Sequence, residues 1–183
     1  MKRSVFLLMV ALVIVLSSCR TIPVEEENAY QKILTYAVDQ EQKTLPIQPK
    51  YLLVYYSAQW CPYCVEYETQ LKNTYTQLKG LYGNDIEIIF AGHINDQDNE
   101  TLLAFLENGE YPFAYIPYER REQSGVMDLL GEHRFYIPGF ILLDKRGAIL
   151  SSSSGETRDD YLRDRPLYHL QSILMQDCAS CQK

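Results

Sequence analysis

The sequence predicts an α/β fold, a central mixed β-sheet with helices on both faces. Three observations predict it. Short apolar runs at residues 51–56 and 86–91 each lead into a segment with apolar residues at helical spacing, the pattern of parallel strands joined by helices. A later apolar run, Phe140-Ile141-Leu142-Leu143-Asp144, is followed by Lys145-Arg146-Gly147 and a second run, Ala148-Ile149-Leu150-Ser151, which reads as a closing hairpin. The chain of 183 residues is long enough for one domain with a real core.

Residues 29–38 carry Tyr30, Ile33, Leu34, Ala37 and Val38 at helical spacing, and Leu45-Pro46-Ile47-Gln48-Pro49 breaks that helix. The strand at 51–56 follows. The next helix places Tyr67, Leu71, Tyr75 and Leu78 on one face and is expected to end near Gly80. The strand at 86–91 is continuously apolar apart from Glu87, as buried strands are. Residues 96–99 form a turn that caps a helix over 100–107, and Gly109 stops it. The connection after it carries Tyr111, Phe113 and Tyr115, too aromatic to lie free of the core. A short helix is expected around 124–132, the hairpin strands follow, and Ser-rich residues 152–160 form a loop. A last helix from about Pro166 turns Leu167, Leu170, Ile173 and Leu174 inward. The order is helix, strand, helix, strand, helix, helix, strand, strand, helix.

The N-terminus reads as a targeting segment. Lys2-Arg3 precedes an apolar run from Val5 to Leu16, too short for a spanning helix with its own stop signal, and then come Ser17-Ser18-Cys19. Leu16-Ser17-Ser18-Cys19 resembles the lipobox of bacterial lipoproteins, which implies cleavage before Cys19 and lipid on its sulfur and its N-terminus. The alternative is an ordinary signal peptide with an incidental cysteine. Residues 1–18 then form the signal peptide, 19–45 a lipid-anchored tether with the first helix, 46–176 the domain, and 177–183 a tail. The formal net charge is −7, and losing Lys2 and Arg3 makes it more negative. That argues against nucleic acid or an anionic lipid surface as partner, so membrane attachment falls to the lipid. Setting Cys19 aside, the other four of five cysteines form two C-x-x-C pairs, Cys61/Cys64 and Cys178/Cys181, in a compartment that permits disulfides.

Trp60-Cys61-Pro62-Tyr63-Cys64 carries the chemistry. A C-x-x-C delivered by a strand to a helix start reads as a dithiol redox device. Only the thiolate attacks a disulfide. At the helix start, Cys61 meets unpaired backbone N–H groups and the positive end of the helix dipole, and both favour the thiolate. Cys64, one turn inside, is expected to be more buried. Cys61 is therefore the attacking thiol and Cys64 the resolving thiol. Pro62 suits the first helical turn, where its missing N–H costs nothing. A metal half-site or a static disulfide is the plainer alternative.

Three stretches make the chain resemble the thioredoxin superfamily. Ser57 to Cys64 is the first. Tyr136-Ile137-Pro138, opening a strand that ends at Asp144, is the second, and its proline resembles the family's cis-proline that faces the cysteine pair. Tyr111-Pro112-Phe113-Ala114-Tyr115-Ile116-Pro117-Tyr118 with Arg121-Glu122 resembles the tryparedoxin and nucleoredoxin branch. The resemblance covers residues 48–176 and implies a thioredoxin-like fold. It implies a thiol–disulfide oxidoreductase with Cys61 and Cys64 as the redox-active pair, Trp60, Pro62, Tyr63, Ile137 and Pro138 as support, and no cofactor or metal. A cis Ile137–Pro138 bond would offer the Ile137 backbone to an extended substrate segment. The branch mostly supplies electrons, which favours a reductase of envelope disulfides, with disulfide-containing proteins as substrates and a membrane or envelope electron donor. Two departures stand out. Gly139 follows the proline where many members have Thr, and Tyr55 stands where thioredoxins often place a buried acid under the resolving cysteine. Water and Glu66 are the remaining candidates to take the Cys64 proton.

Cys178 and Cys181 continue the apolar face of the last helix. They are either a local pair at a helix end or an accessory redox pair. At about 1.5 Å per residue a helix of a dozen residues ends roughly 18 Å from the active site, so a relay within one molecule needs the tail to unwind, and otherwise exchange with a second molecule. His93, His133 and His169 show no ligand spacing and read as ordinary residues. The competing functional reading is a non-catalytic chaperone or metal carrier on a thioredoxin scaffold. The two-residue spacing of the cysteines disfavours the metal carrier.

Overall fold

The structure, a computed structural model, describes residues 27–131, 135–155 and 162–177. Strand β1 (Tyr51–Tyr56) is the central strand. It pairs in parallel with β2 (Ile86–Phe90) and antiparallel with β4 (Gly139–Asp144). A two-residue β3 (Ala114–Tyr115) runs parallel to β2, and β5 (Ile149–Ser152) closes the hairpin on β4. The sheet order is β3-β2-β1-β4-β5, the expected mixed sheet.

Because side chains alternate across a strand, β1 feeds two cores. Leu53 and Tyr55 face α2 (Pro62–Tyr82), α3 (Asn99–Asn108) and α5 (Arg165–Asp177), and meet Tyr67, Leu71, Leu102, Phe105, Leu167 and Leu170. Leu52, Val54 and Tyr56 face α1 (Ala29–Tyr36) and the segment around Val126, and meet Tyr30 and Ile33. Asn28 starts α1 with a capping box shared with Gln31. Among the described residues no helix is long and apolar enough to cross a membrane.

Several boundaries differ from expectation for identifiable reasons. The first helix stops at Tyr36, because Ala37 turns extended (ψ 142°) and Val38 bridges Thr44 and Tyr115. Gly80 does not end α2. It sits within the helix, and Gly83, at φ +53°, terminates it two residues after Leu81, a conformation open to glycine at little cost. The helix expected around 124–132 lies earlier, as α4 (Arg121–Ser124), stopped by left-handed Gly125 at φ +66° and followed by a 3₁₀ turn at Asp128–Leu130. The Ser-rich loop is anchored at its start. Ser153 is fully buried, its Oγ accepting from Phe140 N at 2.9 Å and donating to Arg163 O at 2.7 Å.

The aromatic connection between α3 and α4 packs inward as expected, and β3 lies within it. Phe113 is fully buried with its ring 4.9 Å from Tyr75, 5.5 Å from Tyr111 and 6.3 Å from Tyr55. Phe113→Ala is expected to destabilise the fold by about 3–5 kcal/mol, read as a lower urea midpoint; a loss under about 1 kcal/mol would show that this connection does not hold the core.

Candidate active site

After Tyr56 the chain turns through Ser57, Ala58, Gln59 and Trp60, and Cys61 becomes the N-cap of α2 with extended backbone angles, φ −94° and ψ 109°. Cys61 N donates to Ala58 O at 3.1 Å and closes the turn; Cys64 N and Val65 N then both donate to Cys61 O, at 3.0 and 3.3 Å. Pro62 occupies the first helical turn. Both cysteines are free thiols. Cys61 keeps 5 % of its surface exposed and Cys64 none, the order expected for an attacking and a resolving thiol. Trp60 and Tyr63 stand out into solvent on either side of Cys61.

The second wall comes from the segment ahead of β4. The Ile137–Pro138 peptide bond is cis, and Cys61 Sγ donates to Ile137 O at 3.6 Å. Pro138 is buried and Ile137 half-buried. Gly139 has a steric reason. A Cβ there would lie 2.6 Å from Tyr136 O and 2.6 Å from the Phe135 ring, closer than real contacts allow, and Phe135 is held edge-on to Tyr56 with ring centroids 5.0 Å apart. A threonine has no room at this position.

Beneath the surface, burial pushes the Cys64 thiol up to about 12, with the neighbouring Cys61 thiol acting in the same direction. The Ser57 hydroxyl and the Ala58 backbone pull it back. Tyr55, in the place of an acid, is fully buried, and its Oη donates to Ser57 Oγ at 3.0 Å. Burial holds the Tyr55 phenol well above its ordinary range. Glu66 is exposed on α2, while the Cys64 thiol has none of its surface in solvent.

A third wall was not legible in the sequence. The loop after β2 brings His93 against Trp60, rings edge to face with centroids 5.0 Å apart. A buried ion pair clasps this loop. Arg121 Nη2 donates to Asp96 Oδ2 at 2.9 Å, Arg121 Nη1 donates to His93 O at 2.9 Å, and His93 N donates to Asp96 Oδ2 at 2.7 Å. Gly92, at φ +70°, lets the guanidinium pass, since a Cβ there would sit 1.9 Å from Arg121 Nη2. A lone histidine has no spacing to read, and only the contact with Trp60 marks it out.

The structure thus gathers Trp60, Cys61, Pro62, Tyr63, Cys64, Ile137 and Pro138 at one end of the sheet. Cys19, Cys178, Cys181 and His133 lie outside the described residues. Asp177, the last described residue, accepts from Tyr51 Oη at 2.9 Å, at the end of β1 remote from Cys61. Among the described residues no group of three or more His, Cys, Asp or Glu side chains is placed to hold a metal ion.

A thioredoxin-like family model matches residues 48–149. Nucleoredoxin from Xenopus laevis is 28% identical over 126 residues, covering 68% of this chain and 28% of its own length. The chain therefore spans little more than a quarter of that relative. Among solved structures, tryparedoxin from Trypanosoma brucei superposes with a TM-score of 0.54 at 20% identity, covering 67% of this chain and 83% of its own. Tryparedoxin II from C. fasciculata does so with 0.55 at 20% identity, covering 69% and 87%. At these identities the structures speak for the fold.

Trp60 is the single tryptophan, so its fluorescence reports on this end of the sheet. Burial lowers the His93 pKa below its ordinary 6.5, Arg121 lowers it further and Asp96 opposes them. The neutral ring accepts from Asn95 N through Nδ1 at 3.1 Å, and protonation removes that acceptor and sets a cation against Trp60. A depressed folded pKa means that the stability tied to His93 is present above pH 6.5 and lost as pH falls through the folded value. Trp60 emission is expected to change with a midpoint below 6.5, and His93→Gln to remove that transition. A midpoint above 6.5, or an unchanged transition in the variant, would contradict this placement.

Proposed function

The chain belongs to the thioredoxin-like family, and from that premise we propose that it is a thiol–disulfide oxidoreductase that reduces disulfides of envelope proteins from a lipid anchor on the outer side of a bacterial membrane. The observation that carries the redox reading is the Cys61 thiol at the α2 N-cap, 3.6 Å from Ile137 O, with Cys64 buried one turn behind it. The thiolate of Cys61 attacks one sulfur of a substrate disulfide R–S–S–R′. A Cys61–S–S–R bond forms and R′–S⁻ leaves. Cys64, once deprotonated, attacks Cys61 Sγ; the Cys61–Cys64 disulfide forms and R–S⁻ departs. Two electrons have moved from the dithiol to the substrate, and a membrane or envelope dithiol donor restores them. The pair carries the electrons itself, so the reaction calls for no cofactor.

The exposed Trp60 and Tyr63 form an apolar rim suited to a polypeptide substrate, with the Ile137 backbone beside it for an extended segment. The reductase direction rests on the resemblance to electron-supplying relatives. The anchor rests on Lys2-Arg3, the run Val5 to Leu16, and Leu16-Ser17-Ser18-Cys19. The acidic balance of the chain supports protein rather than nucleic-acid partners.

Cys61→Ser is expected to reduce insulin disulfides, with dithiothreitol as donor, no faster than dithiothreitol alone. Cys64→Ser is expected to retain attack and accumulate a mixed disulfide on Cys61. A Cys61→Ser variant with wild-type turnover would sink the reading. The anchor has its own test: in a bacterial host, Cys19→Ser is expected to move the protein from the membrane to the soluble fraction, and an unchanged membrane fraction would remove the lipid from the account.

A further inference from the structure

A buried ion pair holds a turn whose tip faces solvent. The turn is His93-Ile94-Asn95-Asp96, closed by Asp96 N donating to His93 O at 3.0 Å. Arg121 Nη1 donates to the same carbonyl at 2.9 Å, and Arg121 Nη2 donates to Asp96 Oδ2 at 2.9 Å. That carboxylate oxygen also accepts from His93 N at 2.7 Å. Both ends of the turn are therefore tied to one guanidinium. The arginine comes from α4, 28 residues beyond His93, and its guanidinium carbon lies 4.9 Å from the Tyr118 ring centroid.

At the tip, Ile94 is 65% exposed. A single exposed isoleucine is ordinary, but the neighbours of this one are not. The adjacent His93 ring stands at 84° to the Trp60 indole, with centroids 5.0 Å apart. Trp60 and Tyr63 are themselves exposed on either side of Cys61. Ile94 thus extends their apolar rim from a second chain segment, and the Ile137 backbone forms the other wall. The Arg121 and Asp96 side chains are nearly sealed from water, so they shape the rim without presenting charge at it.

We infer that Ile94 is a specificity-determining residue that contacts the substrate, and that Arg121 is its positioning residue, acting through Asp96 and the His93 main chain. The substrate class is a polypeptide disulfide with an apolar side chain beside the attacked cysteine. The extended segment pairs along Ile137, and its apolar side chain is covered between Ile94 and Trp60. The turn takes no part in making or breaking bonds; it raises the occupancy of the site before Cys61 attacks. The inference rests on the dithiol reading of Cys61 and Cys64.

The test uses two symmetric peptide disulfides, identical except for Leu or Ser beside the cysteine. Each is mixed with reduced protein over a range of peptide concentrations, and released peptide thiol is followed by chromatography. This separates the limiting rate from the half-saturating concentration. Wild type is expected to favour the Leu peptide about tenfold, through the half-saturating concentration. Ile94→Ser is expected to remove most of that preference and Ile94→Leu to retain it. Arg121→Lys keeps the charge but loses the two-pronged fork, and is expected to lower the preference severalfold, again through the half-saturating concentration of the Leu peptide. Equal handling of the two peptides by wild type, an undiminished preference in Ile94→Ser, or its loss in Ile94→Leu would overturn the proposal. An Arg121→Lys variant that keeps the full preference, or that loses limiting rate on both peptides alike, would overturn the positioning role. Should that variant fail to fold, the exposed Ile94 still decides the substrate contact. A wild-type protein that reduces neither peptide would instead overturn the dithiol reading itself.

Discussion

The register of β1 against β4 is the constraint on which the site depends. Tyr56 lies opposite Gly139 in an antiparallel ladder, so the chain that leaves β1 toward Cys61 passes the chain that enters β4 from Ile137. Parallel pairing with β2, continued by Ala91 N donating to Tyr55 O at 2.9 Å, brings the His93 loop to the same end. Three segments distant in sequence thus converge at the carboxyl ends of β1 and β2, where α/β sheets gather their working residues. A slip of one residue in β1 would turn every side chain to the other face. Tyr55 would leave the Phe90, Phe113 and Phe140 rings, and its hydrogen bond to Ser57 would come apart. Burial of β1 on both faces fixes the register against that slip.

The two buried polar groups at this end are handled in opposite ways. Arg121 and Asp96 are both charged and nearly sealed from water, with side-chain exposures of 8% and 5%. Such a pair adds little net stability against an apolar replacement, but it is costly to break one-sidedly. Here it holds a loop at one geometry beside Trp60, although Arg121 Nε has no hydrogen-bond partner among the described residues. In the place of the acid many relatives carry, the chain has Tyr55 instead, neutral and hydrogen-bonded to Ser57. A permanent carboxylate next to a thiol that must ionise would repel the thiolate, whereas hydroxyls favour the anion without a countercharge. The site therefore keeps its fixed charges on the loop and neutral hydroxyls at the end of β1.

What the sequence made legible follows from signal length. β1, β4 and α2 each carry a run of consistent pattern long enough to read, and the C-x-x-C and Ile137-Pro138 sit at their ends, so both halves of the site can be placed from the sequence alone. β3 has two residues, too few for alternation to show. Gly80 and Gly83 look alike in sequence, and only backbone geometry shows which one ends the helix. Ser153 looks like loop composition until its hydroxyl is seen bridging Phe140 and Arg163. His93, Asp96 and Arg121 belong together only through folding, and the reason for Gly139 emerges only when Phe135 is seen pressed against it. Contacts made across the fold leave no periodic trace in the chain, so periodicity and spacing could not reveal them.

The same register constrains the second cysteine pair. α5 ends at Asp177 bound to Tyr51, the first residue of β1, while Cys61 lies beyond its last. A strand of this length at about 3.3 Å per residue spans roughly 20 Å. Cys181 is four residues past Asp177, and four extended residues reach about 14 Å at most. With the roughly 6 Å between the Cα atoms of a disulfide added, those four residues only just span that length, so contact between Cys181 and Cys61 within one molecule has no slack. Exchange between the tail of one molecule and the dithiol of another is free of that span. The polarity of the sheet thus makes transfer between molecules the less costly geometry for any exchange that joins the two pairs.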